Sequence, residues 1–177
     1  ELVIRGPKSD RERLRKQVRG NGQVANPDPI DPATQLVNTL EDPGELRDLD
    51  FEKIVPTPYE LCGDTAPLPD ASPERDAERM KKYGAVDWYH WNVNNWGTKW
   101  NASDPIVKVE EDKLSYSFQT AWSPPVPIIV ALAKQFPTLT MTLKYWETGC
   151  GFRGILKVKG DKIIKNASYD YHGGRGG

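Results

Sequence analysis

Between Lys113 and Trp122 the chain reads KLSYSFQTAW. Leu114, Tyr116, Phe118, Thr120 and Trp122 fall on one side of an extended chain, and Ser115, Ser117 and Gln119 on the other. That alternation predicts a strand with one buried face. TLTMTLKYW (138–146) alternates in the same way, with Leu139, Met141, Leu143 and Tyr145 inward. IVKVE (106–110) predicts a partner strand, joined to the first through a charged turn at Glu111-Asp112. Residues 152–159 and 162–171 flank Gly160-Asp161 and read as a hairpin. Leu2-Val3-Ile4 is a short apolar run ended by Gly6-Pro7, and predicts a further strand.

Helical spacing appears elsewhere. Ser9 stands three before Glu12, the spacing of a capping box, and Leu14 and Val18 follow at i, i+4 until Gly20 and Gly22. This helix is basic, with Arg11, Arg13, Arg15, Lys16 and Arg19 read as a solvated face. Ser72-Pro73 starts a second helix, with Ala77 and Met80 in register and Gly84 at its end. Asp87 caps a third, which sets Trp88, Trp91 and Asn95 on one face and Trp96 one step around. Ser123-Pro124 repeats the start signal; Ile128, Ile129, Leu132 and Phe136 form the buried stripe of the fourth helix, and Pro137 stops it. Residues 21–49, with Pro27, Pro29, Pro32 and Pro43, show only a short helical turn at TQLVNTL. LDFEKIVPTP (49–58) reads as an extended segment, and the loop through Pro67 and Pro69 as irregular.

In order, the pattern is β-α-β-β-α-β followed by a hairpin, the split βαβ or ferredoxin-like arrangement. The expected class is α+β, an antiparallel sheet with helices on one face. One domain spans 1–172, with an irregular and helical insertion at about 21–104, and 173–177 is a flexible glycine-rich tail. Leu114, Tyr116, Phe118, Ile129, Leu132, Leu139, Met141 and Leu143 are expected to share one core, joined by Trp88, Trp91 and Trp122.

Charge narrows the function classes. Lys and Arg number 24 against 25 Asp and Glu, for a formal net charge of -1. A surface basic all over, the mark of bulk phosphate binding, is excluded, while a local basic patch is not. Cys62 and Cys150 stand apart from each other and from His90 and His172, so no zinc-ligand spacing exists and no metal or other cofactor is expected. Free thiols fit better than a disulfide. No apolar run approaches a membrane span and no signal peptide is visible, so a cytoplasmic location is expected, and the Asn101-Ala-Ser103 and Asn166-Ala-Ser168 sequons are read as chance.

Five separated stretches carry a family resemblance: LVIRGP (2–7), LDFEKIVPTP (49–58), WGTKWNA (96–102), FQTAWSPP (118–125) and FPTLTMTLKYWETGCGFRG (136–154). In this order and over nearly the whole chain they resemble the YubB-type ferredoxin-like family, small proteins of plasmids and phages. The resemblance implies a ferredoxin-like fold and a mobile-element setting in a bacterial host. It implies no activity. Asn101 stands where that family often has an acidic residue, which argues against a catalytic carboxylate there.

The candidate chemistry centres on NNWGTKWNA (94–102). Trp96 and Trp100 flank a Gly-Thr-Lys turn, either as a clamp on the sheet or as a binding surface. Trp96 is expected to be structural, with Lys99 and part of Trp100 facing solvent and Asn101 beside them; these residues form the candidate binding site. Asp87 and His90 make half of an acid–base pair with no nucleophile, Cys150 lies in Gly-Cys-Gly without a local base, and no phosphate loop occurs. A non-catalytic binding protein is therefore expected, its partner a protein or other macromolecule of the host or phage. A single-stranded nucleic-acid-binding module is the alternative, disfavoured because the outward residues of the two central strands offer few rings. An enzyme of unknown reaction comes third.

Overall fold

A computed structural model describes residues 1–22, 45–62 and 72–173. TQLVNTL, the loop at Pro67 and Pro69, and residues 174–177 of the expected tail lie outside the described residues. The elements run β1 (Leu2–Arg5), α1 (Lys8–Gln17), α2 (Pro73–Tyr83), α3 (Trp88–Trp96), β2 (Ser103–Val109), β3 (Lys113–Gln119), α4 (Val126–Gln135), β4 (Thr140–Glu147), β5 (Phe152–Lys159) and β6 (Lys162–Asp170), with single 3-10 turns at Phe51–Lys53 and Tyr59–Leu61.

The strands form one sheet in the order β2-β3-β1-β4-β5-β6, and every neighbouring pair is antiparallel. The first four strands follow the ferredoxin-like order, and the hairpin β5–β6 widens the sheet beyond β4. Period two divides the sheet into faces. Leu2 lies opposite Tyr116 and Leu143, and Ile4 opposite Leu114 and Met141; Leu156 and Val158 continue the same face on β5. All are buried, with Leu14 of α1, Val18 just past its end, and Ile128, Ile129 and Leu132 of α4 packed against them. The expected α+β class and nearly all of the expected core hold. Phe118 is only half-buried at the edge of that core, near the end of β3.

Four expectations need correction. The first helix does not start at Ser9: Pro7, preset at φ -53, occupies the N-cap, and Arg11 N–H bonds the Pro7 carbonyl at 3.1 Å. Ser123 does not cap α4, because consecutive prolines at 124 and 125 keep the residue before each out of the helical region; Pro125 is the N-cap. Residues 49–58 are not extended. Asp50 caps a 3-10 turn by accepting the Glu52 N–H, and the turn places Phe51 and Ile54 in the core. Trp122 is not core. The strand ends at Gln119, its alternation does not reach 122, and the indole is 69% exposed.

The signals for α2 and α3 hold. Ser72 accepts the Arg75 N–H and Gly84 closes α2 at φ 72; Asp87 accepts the His90 N–H and Gly97 closes α3 at φ 81. A Cβ on Gly97 would stand 2.7 Å from Pro127 and 2.9 Å from the Pro124 carbonyl. Glycine is thus required both for the left-handed turn and for the close approach of the following loop.

Candidate functional site

Two loops meet at one end of the sheet: 97–102, between α3 and β2, and 120–125, between β3 and α4. Side chains stitch them together. Ser123 Oγ donates to the Gly97 carbonyl at 2.5 Å and Thr98 Oγ1 to the Ala121 carbonyl at 3.2 Å. Thr120 Oγ1 donates to the Ser123 carbonyl at 2.8 Å. Within this frame Trp122 is held at φ 58, a conformation that costs a bulky residue about 1–3 kcal/mol and persists only when its surroundings over-determine it.

Lys99 Nζ sits 4.0 Å from the ring centre of Trp100 and 4.0 Å from that of Trp122. Trp100 is 56% exposed. The ammonium thus contacts both indoles at the surface, each contact a cation–π pair.

The other candidate residues are absorbed by the scaffold. Trp96 is 2% exposed, its indole N–H donates to the Val55 carbonyl at 2.7 Å, and its ring meets Phe51 and Trp91 edge-on. Asn101 Oδ1 accepts the Phe51 and Ala102 N–H groups, and its Nδ2 donates to the buried carboxylate of Asp50. Of the residues expected to bind, Trp100 is exposed, Lys99 and Asn101 are half-buried, and Trp96 is buried.

The loop is held from below by a buried polar chain. Asn92 Nδ2 donates to the Lys99 carbonyl at 3.0 Å. The Thr57 hydroxyl lies 3.1 Å from Asn92 Oδ1 and 2.8 Å from Glu52 Oε1, and its single proton serves one of them. Burial pushes the Glu52 carboxyl above its ordinary value, aided by the nearby Asp50 charge and opposed by bonds from Thr57 and by Lys53. A protonated Glu52 donates to Thr57 and frees that hydroxyl for Asn92.

Groups of catalytic type are placed structurally. The Asp87 carboxylate is buried and accepts both the backbone N–H and, at 2.8 Å, Nδ1 of His90; it is the cap of α3. Glu147 accepts the Gly149 and Cys150 N–H groups of the β4–β5 turn. Hydrogen bonding to Glu147 and its charge push the Cys150 thiol up, away from the thiolate a nucleophile needs. Cys62 and Cys150 are unbonded to each other. Among the described residues, no group of three His, Cys, Asp or Glu side chains gathers to hold a metal, and no helix is long and apolar enough to cross a membrane.

A second surface feature lies on β4, β5 and β6, and the outward residues of β3 and β4 alone do not reveal it. On the sheet face away from the helices, Lys157 lies directly opposite Thr142 and Lys165, Lys159 opposite Thr140 and Lys162, and Arg153 opposite Trp146 and Tyr169. Trp146 is 62% and Tyr169 50% exposed. Arg5 pairs with Asp112, and Lys108 and Lys113 pair with Glu110. Lys144, Arg153, Lys157, Lys159, Lys162 and Lys165 make no ion pair among the described residues. The signal was present in FRGILKVK and KIIKNASYD, which place Arg153, Lys157 and Lys159 on one strand and Lys162, Lys165 and Tyr169 on the next. A cleft of about 430 Å³ at this end of the sheet is lined by Trp122, Lys144 and Trp146 together with Phe118, Tyr145 and Glu147.

No curated protein matches the chain. The crystal structure of a protein api92 from Yersinia pseudotuberculosis matches with a TM-score of 0.50 at 20% identity, over 71% of this chain and 40% of that one. The described chain therefore spans well under half of that relative, and the likeness concerns the fold. Residues 95–173 match the family model described as the ferredoxin-like domain in Api92-like protein, so the sheet from β2 onward is similar to a domain of that family.

Proposed function

We propose that the protein is a non-catalytic binding module for single-stranded nucleic acid, which lies across the sheet face opposite helices α1 and α4. The reading rests on one observation. Lys157 faces Lys165 and Lys159 faces Lys162 directly across β5–β6, beside a row of Trp146, Arg153 and Tyr169. Like charges opposite each other destabilise a sheet, and a polyanion relieves that cost. Edge lysines also protect an open strand from aggregation, but Arg153, Lys157 and Lys159 stand on the inner strand β5, where that protection is not needed. Exposed rings beside a cationic track suit unpaired bases and their phosphates. The order of the expected alternatives is thereby reversed: nucleic acid comes before a protein partner. The bacterial cytoplasm and a plasmid or phage setting, implied by the YubB-type resemblance, belong to this proposal.

The test is fluorescence anisotropy with a labelled oligothymidylate. Binding should weaken with salt, with a log–log slope of about -0.7 per phosphate neutralised. Exchanging Arg153 and Lys157 together for Glu should reduce affinity by at least roughly tenfold, since each contact to a charged group is worth about 1.5–3 kcal/mol. Equal binding by the double variant at moderate salt would refute the proposal.

A further inference from the structure

We infer that Trp100 and Trp122 form a slot for one nucleobase, and that Lys99 is the group the base displaces. The inference rests on the single-strand reading above and names a second, base-specific contact for it. Trp122 is the first support. Its indole is among the most exposed large side chains of the described residues, yet its backbone holds a left-handed conformation fixed by the bonds of Thr98, Thr120 and Ser123. A rigid frame that turns a ring toward solvent suits recognition better than packing.

Spacing is the second support. Each ring centre lies 4.0 Å from the Lys99 ammonium, so the centres are separated by no more than twice that distance. No ring contact joins Trp100 to Trp122 among the described residues. A flat ring between two others needs about 7 Å, two carbon contacts of about 3.5 Å. A separation near the upper end of that range admits a base once the ammonium is displaced. Displaced, it remains on a flexible stem beside the phosphates of the same nucleotide. Trp122 shares one cleft with Lys144 and Trp146 of the open face, so a strand bound there can reach the slot.

The experiment compares two probes of equal length and charge, oligothymidylate and its fully abasic analogue, on the full chain. The variants are Trp100→Ala, Trp122→Ala, Trp122→Phe and Lys157→Glu, each checked for an unchanged melting temperature. The expected result is a roughly tenfold loss for oligothymidylate with either Trp→Ala variant, partial recovery with Trp122→Phe, and no change for the abasic probe. Lys157→Glu should weaken both probes. If the Trp→Ala variants weaken neither probe, or both equally, the slot is refuted while the sheet-face reading stands. If Lys157→Glu leaves both probes unaffected, that reading fails, and with it the basis for the slot.

Discussion

Leu156 and Lys157 are neighbours on β5, yet one is sealed beneath α4 and the other stands on an open face beside Lys165. The same contrast runs across the sheet. Toward the helices the strands present Leu2, Ile4, Leu114, Tyr116, Met141 and Leu143; away from them they present threonines, lysines and arginines. A face closed by helices is selected for packing. An open face in water needs no run of like charge, since mixed signs would solvate it as well and repel less. The cations concentrated on β5 and β6, with Lys144 on β4, are the contrast on which the proposed nucleic-acid binding rests.

Substitutions can sharpen this contrast. The largest effect is expected on the closed face, where Leu132→Ala should cost about 2–5 kcal/mol in chemical denaturation. Trp96→Ala should cost about 3–5 kcal/mol, whereas Trp100→Ala should stay within about 0.5 kcal/mol. Equal losses at 96 and 100 would place both indoles in the core and contradict the exposure of Trp100.

Asn101→Ala comes next. It leaves the Phe51 N–H without its acceptor and Asp50 without one donor, and a loss of about 1–3 kcal/mol is expected. A neutral result would show that Asn101 is not the brace the geometry makes it.

Glu52 gives a smaller, pH-dependent effect. Burial raises its folded-state value above the ordinary 4.5, so the folded chain holds the proton to higher pH than the unfolded chain. Stability from this group is fully present below 4.5, falls as pH rises through the raised folded value, and then levels off. Glu52→Gln keeps the bond to Thr57 and should flatten that part of the stability–pH curve, with a gain at neutral pH. An unchanged slope above pH 4.5 would remove Glu52 as its source.

The smallest stability effect belongs to the open face. Lys157→Glu should change stability by no more than about 0.5 kcal/mol, because it trades a repulsive pair for an attractive one at the surface.

Most of the closed face was legible in the sequence, because period two in β3 and β4 and period 3.6 in α4 mark one apolar side each. Caps at Ser72 and Asp87 were legible for the same local reason. Ser9 and Ser123 misled because neighbouring prolines set where those helices begin. Trp122 misled because alternation was carried past the end of its strand, and positive φ at a tryptophan has no sequence signature. The open face emerged only when β5 and β6 were aligned beside β4. Cross-strand neighbours such as Arg153 and Trp146 depend on register, which no single strand reveals.

The most direct test follows the tryptophan indole N–H signals by NMR while a single-stranded oligonucleotide is added. Trp146 stands on the open face, and Trp91 and Trp96 lie in the core. The Trp146 signal should shift progressively and saturably, while those of Trp91 and Trp96 stay fixed. An unmoved Trp146 signal at saturating oligonucleotide would contradict the assignment of the open face to nucleic acid.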